Sequence, residues 1–134
     1  MLRRYATDIC DNGRKNLYMA AFMGGNHWVA VCVDFAQKHI RCGNSLPNTK
    51  TERQIMRNLQ AWLKHAFKLQ FCDSGNMLTC GKQQDSNSCG VCTIKTIEHH
   101  LFGTEVFTHA KRQSWRIRYF IRLAKSHNDS IVSI

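Results

Sequence analysis

Residues 27–42 read His27-Trp28-Val29-Ala30-Val31-Cys32-Val33-Asp34, then Phe35-Ala36-Gln37, then Lys38-His39-Ile40-Arg41-Cys42. The first block is dense in Val and aromatic residues, the second breaks the pattern, and the third resumes it, as in a β-hairpin. Upstream, Asn16 to Met23 is a largely apolar run closed by Gly24-Gly25, which reads as a buried strand. Downstream, Ile55, Leu59, Trp62, Leu63, Ala66 and Phe67 repeat at helical spacing, and Thr49 to Glu52 fits a capping box at that helix's start. Leu69 to Cys72 suits a short strand, and the polar stretch Asp73 to Ser88, with Gly75 and Gly81, a loop. A second helix is expected from Cys89 to a stop at Gly103, capped by Ser86, Asn87 or Ser88. A third is expected from about Thr108 to Lys125, followed by a frayed tail from Ser126 to Ile134. The class is α+β, antiparallel strands with helices packed beside them.

The chain of 134 residues suits one domain. With 43% apolar and 21% charged residues, it is excluded from collagen-like and disordered classes. Its longest apolar run, Trp28 to Val33, is far below the roughly 18 residues a membrane helix needs. No secretory leader is evident at the start, so the expected location is intracellular, nucleus or cytoplasm, with no membrane partner. Nineteen Lys and Arg against nine Asp and Glu give a formal charge of +10, compatible with nucleic acid, an acidic protein surface or an anionic membrane and selecting none of them. The late basic cluster Lys111, Arg112, Arg116, Arg118, Arg122 and Lys125 alternates with apolar residues and reads as a solvated helix face.

Seven cysteines, at 10, 32, 42, 72, 80, 89 and 92, are odd in number and lack an oxidising context, which argues against a disulfide framework. The order Cys72, Cys80, Cys89, Cys92 contains one close pair where structural zinc sites usually have two, so no metal and no cofactor is expected. Cys32, inside an apolar strand, and Cys92, one turn into a helix, suit buried inert thiols. Cys89 opens a helix, where unpaired N–H groups and the macrodipole stabilise a thiolate. Such a nucleophile needs a base, and the base needs an orienting partner. His27 opens the hairpin, and symmetry about a turn at Phe35 to Gln37 brings Asn44 close to it, within a residue or two of register. Asp34 lies seven residues along the strand, about 23 Å away at 3.3 Å per residue, and cannot serve. A thiol–disulfide redox reading of Cys89-Gly90-Val91-Cys92 would require a preceding strand in a βαβ unit, where this chain has a polar loop.

His27-Trp28, Asn44-Ser45-Leu46 and Gln83-Gln84-Asp85-Ser86-Asn87-Ser88-Cys89-Gly90 together resemble the ubiquitin-like-protein proteases, papain-like cysteine proteases of the SUMO-specific type. The third stretch matches that family's Q-x5-C-G signature, and the second its Asp-Ser-Leu with Asn in place of Asp. The resemblance covers about residues 16 to 125. It implies a papain-like core, Cys89 as nucleophile, His27 as base, Asn44 as orienter and Gln83 as oxyanion-hole donor, with Gln84 next in register. Trp28 and Gly90 would border the channel for the substrate's Gly-Gly tail. The partner implied is a ubiquitin-like modifier or its conjugates. Residues 1–134 would form a single catalytic domain lacking the family's N-terminal portion. Asn44 removes a charge that would stabilise imidazolium, so weaker catalysis is expected, and exchanging Asn44 for Asp should speed thiol alkylation at Cys89. The other reading is a weak or inactive module of the same fold that binds a modifier or nucleic acid.

Overall fold

The computed structural model describes residues 2–46 and 49–132, in the order α1 (Leu2–Asn12), β1 (Asn16–Met23), β2 (His27–Asp34), β3 (His39–Gly43), α2 (Thr49–Phe67), β4 (Cys72–Asp73), α3 (Cys89–Phe102) and α4 (Arg112–Val132). A 3-10 turn, His109–Lys111, leads into α4. The four strands form one sheet in the order β1-β2-β3-β4.

Side-chain alternation along β2 sets the layers. Val29, Val31 and Val33 join Ile40, Cys42, Met56, Leu63 and Phe71 in a core between the sheet and α2. Ala30 and Cys32 face the opposite way, with Leu78 and Ile97, toward α3. A strand covered on both faces reads as a near-continuous apolar run, which is why residues 28–33 carry no alternation. The third cluster, Cys92, Phe107 and Trp115, joins α3 to α4. Gly81 is enclosed here, because a Cβ on it would lie 2.0 Å from the Phe107 carbonyl oxygen.

The expected α+β class holds, and both hairpin strands, the helix after residue 49 and the helix from Cys89 to the left-handed Gly103 lie where the pattern placed them. Several expectations are corrected. β1 is an edge strand with Met23 its one buried residue, since only β2 flanks it. The sheet is mixed: β4 pairs parallel to β3, through His39↔Cys72 and Ile40↔Asp73, because α2 carries the chain back across the sheet before β4 begins. Residues 2–12 form a helix that was not expected, in which Ile9 is buried. The tail from Ser126 continues α4 to Val132. Of the expected capping box Thr49 to Glu52, the side chains of residues 49–51 lie outside the described residues. Ser88 stands at the α3 N-cap position, but its hydroxyl makes no cap bond. No helix among the described residues is long and apolar enough to cross a membrane.

Candidate active site

His27 is placed by a tight turn. β1 and β2 pair antiparallel from Asn16↔Asp34 to Met23↔His27, joined by Gly24-Gly25-Asn26 with both glycines at positive φ, 62° and 78°. Only glycine adopts that backbone without strain, so the turn puts His27 at the very start of β2. On the other side, β2 pairs with β3 from Ala30↔Gly43 to Asp34↔His39. That register is two residues off the symmetry that would set Asn44 directly across from His27, because the turn extends through Lys38 in a left-handed conformation (φ 56°). Asn44 still reaches it diagonally, as the residue after β3, with His27 Nε2 2.7 Å from Asn44 Oδ1. Asp34, excluded on distance, is occupied elsewhere: it accepts from the Gln37 N–H at 2.9 Å and pairs with Arg41 at 3.0 Å.

The Asn44 amide is fully buried and held at every polar atom. Its Oδ1 also accepts from the Leu46 N–H at 2.9 Å, its Nδ2 donates to Glu52 Oε1 at 2.5 Å, and its backbone N–H donates to Asn76 Oδ1 at 2.9 Å. A carboxylate only accepts, so Nδ2 must face Glu52 and Oδ1 must face the histidine. His27 therefore donates from Nε2, and in the neutral ring Nδ1 carries the lone pair.

Cys89 is the first residue of α3 and is buried. Gly90 lies under the Trp28 indole, with 4.0 Å between Trp28 Cδ1 and the position a Cβ would take. Trp28 is 40% exposed and leans on Phe22, ring centroids 4.8 Å apart. The N-terminus of α3 thus abuts the start of β2. Among the described residues no hydrogen bond links the His27 ring to the Cys89 sulfur.

Gln83 is buried and bound at both ends of its amide: Ser45 Oγ donates to its Oε1, and its Nε2 donates to the Asp85 carbonyl at 2.6 Å. The second Nε2 proton is the one available to an acceptor beyond the loop. Gln84 is engaged through its backbone N–H, with His109 Nδ1 at 3.3 Å. The Asp85 carboxylate folds the loop into α3 by accepting from Ser88 Oγ at 2.6 Å and from the N–H groups of Ser88 and Asn87 at 2.8 and 3.2 Å. The Ser88 hydroxyl, backbone donors and nearby His109 hold that carboxyl below the usual carboxylate range. Arg116 spans from α4 to the Asn87 carbonyl, Asn87 Oδ1 and Ser88 Oγ at 2.9–3.1 Å, and Arg112 lies 3.6 Å from Asp85. Part of the basic cluster expected to be a solvated face therefore ties down the loop before Cys89.

Burial pushes the thiol of Cys92 up to about 11 and that of Cys42 up to about 12, and raises those of Cys32 and Cys80. These four suit packing. The Cys92 thiol donates to the Gly81 carbonyl. No group of three or more His, Cys, Asp and Glu among the described residues is arranged to hold a metal ion.

Residues 14–129 match the Ulp1 protease family, C-terminal catalytic domain. The chain belongs to the Ulp1 protease family. Solved structures show the same fold at low identity. The SUMO protease Ulp1 with its catalytic cysteine oxidised to a sulfenic acid matches at 16% identity and TM-score 0.63, over 86% of this chain and 56% of that one. The C-terminal Ulp1 protease domain in complex with Smt3, the yeast orthologue of SUMO, matches at 17% identity and TM-score 0.60, over 85% of this chain and 57% of that one. This Ulp1-family chain thus spans little more than half the length of those structures. No curated protein matches its sequence.

Four residues around the Ulp1-family site escaped sequence reasoning: Ser45, Glu52, Asp85 and Arg116. Ser45 lay inside a quoted motif without a role, and its bond to Gln83 supplies one. Asp85 also lay inside a quoted motif and folds its own loop, whereas Glu52 and Arg116 act across elements, and spacing along the chain does not show which loop a helix will meet.

Proposed function

We propose that this chain is a cysteine peptidase that cleaves after the C-terminal Gly-Gly tail of a SUMO-type modifier, with residues 1–134 as one catalytic domain. The observation that carries the reading is the locked His27–Asn44 pair, 2.7 Å apart, which fixes Nε2–H and leaves Nδ1 as the base. In the reaction, His27 Nδ1 takes the Cys89 proton and the thiolate attacks the carbonyl carbon of the terminal glycine. The oxyanion of the tetrahedral intermediate is met by the free Gln83 Nε2–H and the Cys89 N–H. Collapse breaks the C–N bond, and the imidazolium returns its proton to the leaving amine. Water, deprotonated by His27, then hydrolyses the thioester and releases the modifier and the thiol. The exposed Trp28 indole and the side-chain-free Gly90 beside it would form one wall for a tail of two glycines. The Smt3 complex of the related Ulp1 domain supports a modifier as partner.

One observation favours a second reading, an inert module of this fold that binds a modifier: no hydrogen bond joins His27 to Cys89. Catalytic contacts are often long without substrate and tighten on binding, so the first reading stands ahead. Release of a fluorogenic amine from the C-terminus of SUMO separates the two. The peptidase reading predicts turnover that Cys89→Ala abolishes and His27→Ala lowers about 10²–10⁴-fold. SUMO binding without turnover would establish the inert module.

A further inference from the structure

Behind the Asn44 amide lies a carboxylate. Glu52 occupies the first turn of α2, where the helix N-terminus favours negative charge, and its Oε1 accepts from Asn44 Nδ2 at 2.5 Å. Asn44 Oδ1 in turn faces His27 Nε2 at 2.7 Å. We propose that Glu52 is a positioning residue for His27, acting through the Asn44 amide: it polarises that amide and supplies the negative charge that Asn44 itself lacks. The proposal rests on the peptidase reading of Cys89 and His27.

Two neutral contacts alone would orient the amide, since the Leu46 N–H already points to Oδ1. A carboxylate adds charge. Bonded through an amide, it sits roughly 7 Å from the imidazole, close enough for partly buried charges to couple. Its field is felt among its neighbours: after burial, Glu52 is the next cause raising the Cys42 thiol, and it contributes to raising Cys80. Among the described residues, the charged and titratable groups around it include Arg53 on its own helix, Cys42 of β3, Asp73 of β4, Cys80 with Lys82 in the following loop, and His27 of β2 through Asn44. Asp73 acts in the same sense as Glu52 and Arg53 in the opposite one, so only exchange of Glu52 itself isolates its part. The arrangement also changes what the sequence leads one to expect of Asn44→Asp. That exchange would press two carboxyls together in a buried site, where both cannot ionise, so the single variant gains little.

The test is the rate at which iodoacetamide alkylates Cys89 in the full chain between pH 5 and 9, followed by peptide mass spectrometry because six other cysteines are present. The variants are Glu52→Gln, Glu52→Ala, Asn44→Asp, the double exchange Asn44→Asp/Glu52→Gln, and His27→Ala. Glu52→Gln keeps the shape and removes the charge. It should move the acid limb of the profile, where imidazolium loses its proton and His27 becomes able to take that of Cys89, down by roughly one pH unit, and by disfavouring the thiolate–imidazolium pair slow alkylation near neutrality by up to about tenfold. The double exchange returns a carboxylate to the histidine with an amide behind it, and should restore the wild-type limb where Asn44→Asp alone does not. Glu52→Gln and Glu52→Ala profiles that coincide with wild type, while His27→Ala abolishes the rate, would overturn this proposal and leave the peptidase reading intact. A slower rate with an unmoved limb and no rescue would mark a merely structural Glu52 and also overturn it. A wild-type rate indifferent to His27→Ala would bring down the peptidase reading, and this proposal with it.

Discussion

Gln83 shows how a buried polar side chain can be both fixed and usable. Ser45 and the Asp85 carbonyl satisfy one acceptor and one donor, and the remaining amide proton has no freedom of direction. If that proton meets the oxyanion, Gln83→Ala lowers kcat about 10²–10³-fold with little change in KM. Ser45→Ala, which leaves Gln83 Oε1 buried without its donor, should lower kcat less and also cost about 1–3 kcal/mol of stability, read by urea unfolding. At this scale the sequence was informative where residues lie on one hairpin. His27 and Asn44 could be paired by counting from a turn, and the diagonal reach of an amide absorbed a two-residue error in register. Glu52 and Ser45 were not legible, because a contact from a helix to a strand end depends on how the layers stack.

The loop from Gln83 to Ser88 is the element on which the position of Cys89 depends. It has no regular structure, and its shape is set by Asp85 inside and by Arg112 and Arg116 from α4. The Asp85 carboxyl is held below its ordinary value, chiefly by the Ser88 hydroxyl, so the folded state binds the proton less readily than the unfolded chain. Its contribution is therefore full above the unfolded carboxylate pKa and is lost as pH falls through the lower folded value. Comparing thermal melts of wild type and Asp85→Asn should show a gap at pH 6 that closes progressively below about pH 4. Strongly periodic elements such as α2 and α3 were readable from their apolar spacing. α1 carries the same spacing in Leu2, Tyr5, Ala6, Ile9 and Cys10, a signal that its eleven-residue length left unread, and the pairing of the two-residue β4 depends on the path of the chain rather than on its own composition.

Across the whole molecule, a sheet covered on one face by α2 and on the other by α3 brings three distant pieces of sequence to one end. They are the turn before β2, the residues after β3 and the start of α3. The charge of +10 is spread over helices as well as used in the loop clamp, so composition alone could not separate a protein-binding surface from a nucleic-acid-binding one. α4 adds an outer face on which Ile117, Phe120 and Ile121 are exposed, while Trp115 on its inner side is buried. The central claim is that this end of the molecule activates Cys89 toward the tail of a modifier. It is tested most directly by incubating the chain with SUMO carrying a thiol-reactive group in place of its C-terminal carboxylate, then mapping the adduct by mass spectrometry. The account predicts a single covalent adduct at Cys89, formed far more slowly in His27→Ala. An intact probe bound without reaction, or adducts at the exposed Cys10 and Cys72 in place of Cys89, would contradict it.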